Sequence, residues 1–339
     1  MKGTILVTGG AGYIGSHTCI ELLNKGYDVV VIDNFSNSSA ESLNRVKIIT
    51  GKEVSLYEGD IRDKALLDKI FKNHKIDWVI HFAGLKAVGE SCAKPIEYYD
   101  NNLYGTLILL QSMREHGCKK IVFSSSATVY GDPEVLPLTE DCRTGGTTNP
   151  YGTSKYFQEI MLDDVYKADN EWTIVLLRYF NPIGAHKSGL IGEDPNGIPN
   201  NLTPYIAKVA IGELKEVGIF GNDYPTHDGT GVRDYIHVVD LALGHVAVID
   251  KIKGNGVYIY NLGTGVGYSV LDVLHAYEKA CGHAIPYVIK PRRPGDIAAC
   301  YANAGKARNE LGWEAKYGID DMCASSWNWQ TKNPNGYKK

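Results

Sequence analysis

The sequence predicts a doubly wound α/β fold, a parallel sheet with helices on both faces, followed by a smaller mixed α/β lobe. Three observations predict it. Short Val/Ile-rich runs alternate with amphipathic segments through the first half of the chain, a glycine-rich turn joins the first run to the first helix, and the alternation stops near residue 180. Strand–helix alternation builds parallel sheets with right-handed crossovers, and strands covered on both faces read as continuous apolar runs.

The strands are predicted over residues 4–8, 28–32, 54–58, 78–82, 120–124 and 173–178. Helical spacing covers 17–25, 64–74, 95–116 and 151–168 between them. The last of these helices has the clearest start, because Asn149 can cap it and Pro150 suits its first turn. Phe157, Ile160, Met161 and Val165 then recur at helical spacing and are expected to form its buried stripe. Residues 181–205 (NPIGAHKSGLIGEDPNGIPNNLTPY) are too irregular for another strand–helix unit and read as an ordered binding loop. Two domains are therefore expected, 1–180 and 181–339, with segments of the second free to return to the sheet.

Composition narrows the class of protein. With 44% apolar and 22% charged residues, the 339-residue chain is an ordinary globular protein, and a net charge of −4 disfavours a nucleic-acid partner. Seven cysteines, odd in number and without a C-x-x-C pair, fit free thiols in a reducing compartment. The N-terminus enters a strand without a basic leader, and no run of about 18 apolar residues occurs. A cytoplasmic protein without a membrane partner is expected. The ten histidines form no H-x-x-x-H or His/Cys cluster, so no metal is expected.

The turn LVTGGAGYIGSH places Gly9, Gly12 and Gly15 between the first strand and helix. Glycines there allow a tight turn and close approach of a pyrophosphate to the backbone, while the helix N-terminus supplies N–H groups and positive dipole. Three glycines can serve packing alone, but the context is that of a Rossmann dinucleotide site. Asp33, eighteen positions after Gly15, ends the second strand, where a carboxylate binds both adenosine ribose hydroxyls and repels a 2′-phosphate. NAD is thus favoured over NADP. Asp60 and Ile61 follow the third strand, placed to meet the adenine, and Phe82-Ala83-Gly84-Leu85-Lys86 follows the fourth.

In NPYGTSK, Tyr151 and Lys155 are four apart and share one helix face. A nearby cation and a positively charged nicotinamide ring can lower a phenol from its ordinary pKa of about 10 by about 1–3 units, making it a usable base. The preceding strand, IVFSSSATVYG, delivers Ser124, Ser125 and Ser126 at its carboxyl end, where a hydroxyl can reach the same substrate oxygen.

Glycine turn, strand-end serine and Y-x-x-x-K, in this order, resemble the extended short-chain dehydrogenase/reductase family. The resemblance implies Ser126, Tyr151 and Lys155 as the catalytic set and a hydride exchanged with a nicotinamide. Dehydratases of that family carry Thr-Asp-Glu where this chain has Ser126-Ala127-Thr128, which disfavours elimination of water.

The strings HFAGLKAVGES, LLRYFNPIGAH, GEDPNGIPNNL, FGNDYPTHDGTGVRDYIHVVDLA, YNLGTG and RRPGDIA are similar to the UDP-galactose (UDP-glucose) 4-epimerases, from about residue 3 to about 335. That resemblance implies oxidation of C4 of a bound UDP-hexose, turnover of the 4-keto sugar and return of the hydride, with NAD retained. A nucleotide-sugar dehydrogenase or reductase is the alternative. Cofactor contacts are implied from Gly9, Gly12, Tyr13, Ile14, Gly15, Asp33, Asn34, Asn37, Ser38, Asp60, Ile61, Phe82, Ala83, Gly84, Lys86, Asn101, Ser124, Tyr151, Lys155, Tyr179 and Phe180. On the substrate side, Arg233 and Arg293 are implied for the diphosphate, Asn181, Asn201 and Leu202 for the nucleotide sugar, Phe220 for uracil and Asp296 for a ribose hydroxyl. Lys86, Ser126, Tyr151 and Tyr235 join them. Cys300 stands where members restricted to plain hexoses hold a tyrosine, so the resemblance implies room for an N-acetylated sugar. It also implies a homodimer through the helices around 95–116 and 151–168.

Overall fold

The computed structural model describes residues 2–293 and 295–338. Its strands are β1 Thr4–Thr8, β2 Asp28–Asp33, β3 Ser55–Glu58, β4 Trp78–His81, β5 Lys120–Ser126, β6 Thr173–Tyr179, β7 Asn181–Ile183, β8 Val217–Phe220, β9 Val232–His237, β10 Gly256–Leu262, β11 Gly267–Ser269, β12 Tyr287–Lys290 and β13 Ala299–Cys300. The helices are α1 Tyr13–Asn24, α2 Ala40–Thr50, α3 Lys64–Asn73, α4 Val88–Ala93, α5 Pro95–Tyr99, α6 Gly105–Glu115, α7 Pro150–Ala168, α8 Leu202–Ala210, α9 Val238–Lys251, α10 Val270–Cys281, α11 Gly305–Leu311 and α12 Ile319–Lys332.

Seven strands form the main sheet in the order β10-β6-β5-β4-β1-β2-β3. Every pairing in it is parallel. Six strands come from the expected segments, within two residues at each end. The seventh, β10, returns from beyond residue 180 and pairs with β6 along its length, Gly256 opposite Thr173 and Leu262 opposite Tyr179. Strand order reverses between β1 and β4, and a crevice for ligands opens at the carboxyl ends there.

Alternation along the strands feeds two helical layers. Ile5, Val7, Val29 and Val31 pack into the core with Leu22, Leu23 and the α9 residues Leu241 and Val248. Leu6, Val30 and Ile32 face the opposite layer with Leu67, Ile70 and Leu109. A third core joins α8, α10 and α12 in the second lobe, through Ile206, Val273, Tyr277 and Met322.

Three elements depart from the sequence reading. Helix α1 starts at Tyr13 instead of 17, because the extended Gly12 already serves as its N-cap. Helix α2 was not expected. Ser39 caps it by accepting from the Glu41 N–H, and left-handed Gly51 ends it. The expected single helix 95–116 is α5, a π-helical turn over Asp100–Tyr104, and α6.

Helix α7 begins as expected, with the Asn149 side chain accepting from the Gly152 N–H at 2.8 Å and Pro150 in the first turn. Its apolar stripe, however, is not its buried face. Phe157 and Ile160 are 42% and 41% exposed. Gly152, Ser154, Lys155, Gln158, Glu159 and Leu162 are the residues turned inward. Polar side chains go to the interior because each finds a partner or a site there, which outweighs the apolar pattern.

Candidate active site

The glycine turn follows β1 at the crevice. Gly9 has φ of 71°, and a Cβ on it would lie 2.8 Å from the Ala83 nitrogen. At Gly15 an added Cβ would sit 2.3 Å from the Gly9 oxygen, so close helix–turn packing requires glycine. Gly12 differs: an added Cβ would meet only the Gly9 oxygen, at 3.2 Å, leaving its outer side open beside the first N–H groups of α1. That cradle fits a pyrophosphate.

Asp33 is buried at the end of β2, where its carboxylate accepts from the Ala11 N–H at 2.9 Å, the Phe35 N–H at 2.9 Å and the Ser38 hydroxyl at 2.7 Å. A carboxylate takes about four donors, so capacity for a ribose hydroxyl remains. Asn34 donates to Asp60 at 2.9 Å, and Asp60 is forked by Arg62. The Arg62 hydrogen bonds hold the Asp60 carboxyl at about 2. Ile61 is buried against Gly105, where an added Cβ would be 2.6 Å from its terminal methyl. Asn37 accepts from the Asn196 N–H at 3.0 Å, and the Tyr13 hydroxyl donates to the Gly184 carbonyl at 2.6 Å. These two contacts tie the cofactor-side loops to the irregular segment after residue 180. Ile14, on α1, packs against the first core.

At the end of β4, the Phe82 ring lies 4.9 Å from that of His245, and the Ala83 N–H reaches the Thr8 hydroxyl at 3.2 Å. An added Cβ at Gly84 would be 3.8 Å from Lys155 Nζ, so this backbone passes close to the catalytic helix. Asn101 donates to Asn102 Oδ1 at 3.0 Å within the π-helical turn. Fully buried Asn102 donates to the Leu85 carbonyl and the Ser154 hydroxyl, each at 3.0 Å. Inserted π turns concentrate at functional sites.

Ser126, 9% exposed, ends β5, and its Oγ accepts from the Thr128 N–H and hydroxyl at 3.2 and 3.0 Å. Tyr151 is half-buried, and its hydroxyl meets that of Ser126. Lys155 is buried and donates from Nζ to the Ser124 carbonyl at 2.8 Å. The same ammonium lies 4.7 Å from the Phe123 ring centroid.

Desolvation governs both titrating groups. It raises Tyr151 above the ordinary phenol value, with the Ser126 hydrogen bond pulling the other way. It lowers Lys155 to about 7, with the Glu159 carboxylate acting to raise it. Among the protein's own groups burial therefore dominates the phenol, and Lys155 directs its ammonium at the Ser124 carbonyl. Tyr179 donates to His245 in a short buried contact. His245 Nδ1 must itself donate to the Leu241 carbonyl at 2.8 Å, which leaves Nε2 as acceptor. Phe180 is buried in one cluster with Val129, Tyr130, Leu138, Cys300 and Ala302.

Across the crevice, Lys86 pairs with Glu193 at 3.3 Å, and Asn201 donates to the same carboxylate oxygen at 2.8 Å. Leu202 opens α8. Asn181 on β7 lies opposite Tyr235 on β9, and Cys300 on β13 lies opposite Arg233. Arg293 pairs with Asp296 at 2.8 Å and places its guanidinium 4.9 Å from the half-exposed Phe220 ring. Burial pushes Tyr235 up to about 12, against the pull of the Arg233 and Arg293 charges. Cys300 is buried and its thiol pushed up to about 11 by desolvation.

Sequence reasoning missed four polar residues that organise the site: Asn102, Glu159, Arg178 and Glu193. Arg178 carried a signal, a cation ending an apolar strand run, and Glu159 continues the Tyr151–Lys155 face at i+8. Nothing in the local sequence distinguished Asn102.

A dinucleotide cradle at the switch point of a doubly wound sheet, with a strand-end serine and a Tyr–Lys pair on the following helix, defines a nicotinamide-dependent enzyme working on a carbinol–ketone couple. A family profile described as GDP-mannose 4,6 dehydratase matches residues 6–326. A UDP-glucose 4-epimerase of Bifidobacterium longum is 72% identical over 99% of this chain and 98% of its own length. One of Bacillus subtilis is 64% identical over 98% of each. The crystal structure of a Bifidobacterium longum UDP-glucose 4-epimerase in complex with NAD+ and UDP superimposes with a TM-score of 0.97, at 72% identity, covering 98% of this chain and 99% of that one. The chain belongs to the UDP-glucose 4-epimerases of this extended short-chain dehydrogenase/reductase family.

Proposed function

We propose that the protein interconverts UDP-galactose and UDP-glucose at C4 through a transient 4-keto sugar, with NAD retained between turnovers. The observation that carries the reading is the hydrogen bond between Tyr151 and Ser126 on the same helix face as buried Lys155, whose Nζ lies close to the Gly84 backbone. When bound, NAD supplies a nicotinamide that exchanges hydride with C4. The chain's own part is protonic and positional. Tyr151 moves the proton of the C4 hydroxyl, Ser126 holds the same oxygen, and Lys155 fixes the end of β5 and supplies positive charge. Gly9, Gly12, Gly15 and Asp33 hold the cofactor, with Asp60, Phe82 to Gly84, Lys86, Asn101 and Tyr179 around it.

Arg233 and Arg293 grip the diphosphate, Phe220 stacks on uracil, and Asp296, Asn181, Asn201 and Leu202 complete the grip on UDP. A handle held in this way leaves the hexose free to present either face. The stretch after Ser126, Ala127-Thr128, offers no acid to expel water, so the family's dehydratase chemistry has no catalyst here. The 1–180 and 181–339 division separates cofactor and substrate roles, while β10 crosses back into the sheet.

Dimerisation is supported by the apolar residues left outside. Ile96, Tyr104, Leu107, Phe157 and Ile160 are all exposed on α5, the π turn, α6 and α7. Helices α5 and α7 touch, and exposed apolar residues on them fit a four-helix contact with a second copy. All seven cysteines are free, which supports a reducing cytoplasmic setting, and no helix among the described residues is long and apolar enough to cross a membrane.

The test is conversion of UDP-galactose to UDP-glucose by purified protein without added NAD. No conversion by cofactor-loaded protein sinks the reading, and stoichiometric release of NADH favours a net dehydrogenase.

A further inference from the structure

We propose that the buried Glu159–Arg178 pair is a positioning device for catalysis: Glu159 clamps the middle serine of the strand end and sets its carboxylate one helical turn from Lys155, and Arg178 holds Glu159 in place. The inference rests on the epimerase reading above.

Glu159 lies one turn beyond Lys155 on the inward face of α7. Its Oε1 accepts from the Ser125 hydroxyl at 2.5 Å and from Arg178 Nε at 3.0 Å, and its Oε2 accepts from Arg178 Nη2 at 2.8 Å. The two side chains are 7% and 4% exposed. Ser125 is the residue between Ser124, whose carbonyl receives Lys155, and Ser126, whose hydroxyl meets Tyr151. One carboxylate on α7 therefore ties that helix to the strand end that receives Lys155 and carries Ser126.

Arg178 extends the network from β6. It donates to the Tyr130 hydroxyl at 3.0 Å and the Glu140 carbonyl at 3.2 Å, and Tyr130 donates to Asn261 Oδ1 at 2.7 Å. Asn261 in turn donates to the Leu138 carbonyl at 3.0 Å. A fully desolvated ion pair is often no better for stability than apolar residues of the same volume. Its presence behind the reacting groups points to geometry and charge.

The groups facing Lys155 come from four elements. Tyr151 and Glu159 share its helix, Phe123 and Ser124 lie on β5, and His81 on β4 is neutral, held at about 3 by burial with the Lys155 charge adding to the effect. Tyr179 on β6 faces Ser124 and Tyr151. Glu159 is the anion that acts on the ammonium, and Arg178 lies beyond it. Removing the carboxylate disfavours the charged lysine and leaves the Arg178 charge unopposed, so neutral lysine appears at lower pH.

The experiment compares pH profiles of kcat for UDP-galactose in the wild type, Glu159→Gln and the double variant Glu159→Gln/Arg178→Gln, each with bound NAD. The alkaline limb is expected to fall by about one pH unit in Glu159→Gln, a tenfold loss above it, with KM changed less than about twofold. The double variant leaves no lone buried charge and is expected to shift the same way by less, so it decides the matter if Glu159→Gln does not fold. An unmoved limb in folded, cofactor-loaded double variant overturns the proposal, as does an equal loss of kcat at every pH. Wild type that turns over with unmoved variant limbs sinks this inference alone. Wild type that fails to turn over sinks the epimerase reading and this inference with it.

Discussion

Replacing Tyr151 by Phe removes one oxygen from the half-buried mouth of α7. The structure separates the chemical consequence from the structural one. Ser126 keeps both Thr128 donors at 3.2 and 3.0 Å, so no buried hydroxyl is orphaned and the melting temperature should hold. Asp33 and the glycine cradle lie on other elements, so NAD should remain bound. Arg233, Arg293 and Phe220, proposed to grip UDP, are left unaltered, so KM should change little. What disappears is the proton acceptor, worth about 10²–10⁴ in rate, or about 3–5 kcal/mol of barrier. The assay is UDP-galactose to UDP-glucose conversion coupled to a UDP-glucose-specific dehydrogenase, with bound cofactor quantified after denaturation. A variant that keeps more than about a tenth of wild-type kcat refutes the role of Tyr151. One that loses its NAD refutes the separation of cofactor binding from chemistry.

Arg293→Ala should raise KM and the UDP inhibition constant about 10–100-fold while leaving kcat nearly unchanged, because a charge-assisted contact to the diphosphate is made equally in ground and transition states; a fall in kcat alone would contradict it. Cys300→Tyr should abolish turnover of UDP-N-acetylgalactosamine and spare UDP-galactose, and should lower the melting temperature, since overpacking a 7%-exposed site costs about 1–3 kcal/mol; wild type inactive on the acetylated sugar would refute the specificity reading. Leu107→Glu should shift sedimentation from dimer to monomer, and an unchanged dimer would move the interface elsewhere. Burial holds His17 and His81 at about 3 and His237 and His245 at about 4, below the ordinary value of about 6.5. The unfolded chain then binds protons that the folded one does not, so stability is retained at neutral pH and lost as pH falls from about 6.5 toward about 4, by up to about 2 kcal/mol per histidine at pH ~5. A urea midpoint equal at pH ~7 and ~5 would refute this.

The sheet was legible because parallel buried strands write themselves as apolar runs, and the cofactor cradle because close approach at Gly9 and Gly15 admits no side chain. Helix α7 was legible at its start and misleading along its length. The i, i+3, i+4 rule finds an apolar face but not what that face meets. Here Phe157 and Ile160 face outward, and Lys155, Gln158 and Glu159 face in. Strand β10 escaped because nothing local marks a segment that returns to the sheet 77 positions after its partner strand ends, from Tyr179 to Gly256. Asn102 and Glu193 escaped for a related reason: their partners lie on other elements, and pairings of this kind exist only once the chain is folded.

The inverted face of α7 ties these observations together. Burial pushes the Tyr151 and Lys155 equilibria toward the uncharged forms: the phenol is raised, and the ammonium is lowered to about 7 even with the Glu159 carboxylate acting to raise it. A site left to desolvation would hold a neutral phenol beside a partly neutral amine, and neither would serve a proton transfer near pH ~7. Charge must be supplied from outside that pair to reverse the bias. The Glu159 carboxylate acts to raise the ammonium, and an oxidised nicotinamide, when bound, would add positive charge that favours the phenolate. The proposed base would then be competent only with oxidised cofactor present, which would link proton removal to hydride removal. Had the helix buried its apolar stripe, the interior would have gained hydrophobic area and lost this link. The outward stripe, with Phe157 and Ile160 exposed, is the surface that the proposed dimer would cover, so the polar inward face and the proposed interface follow from one choice of helix rotation.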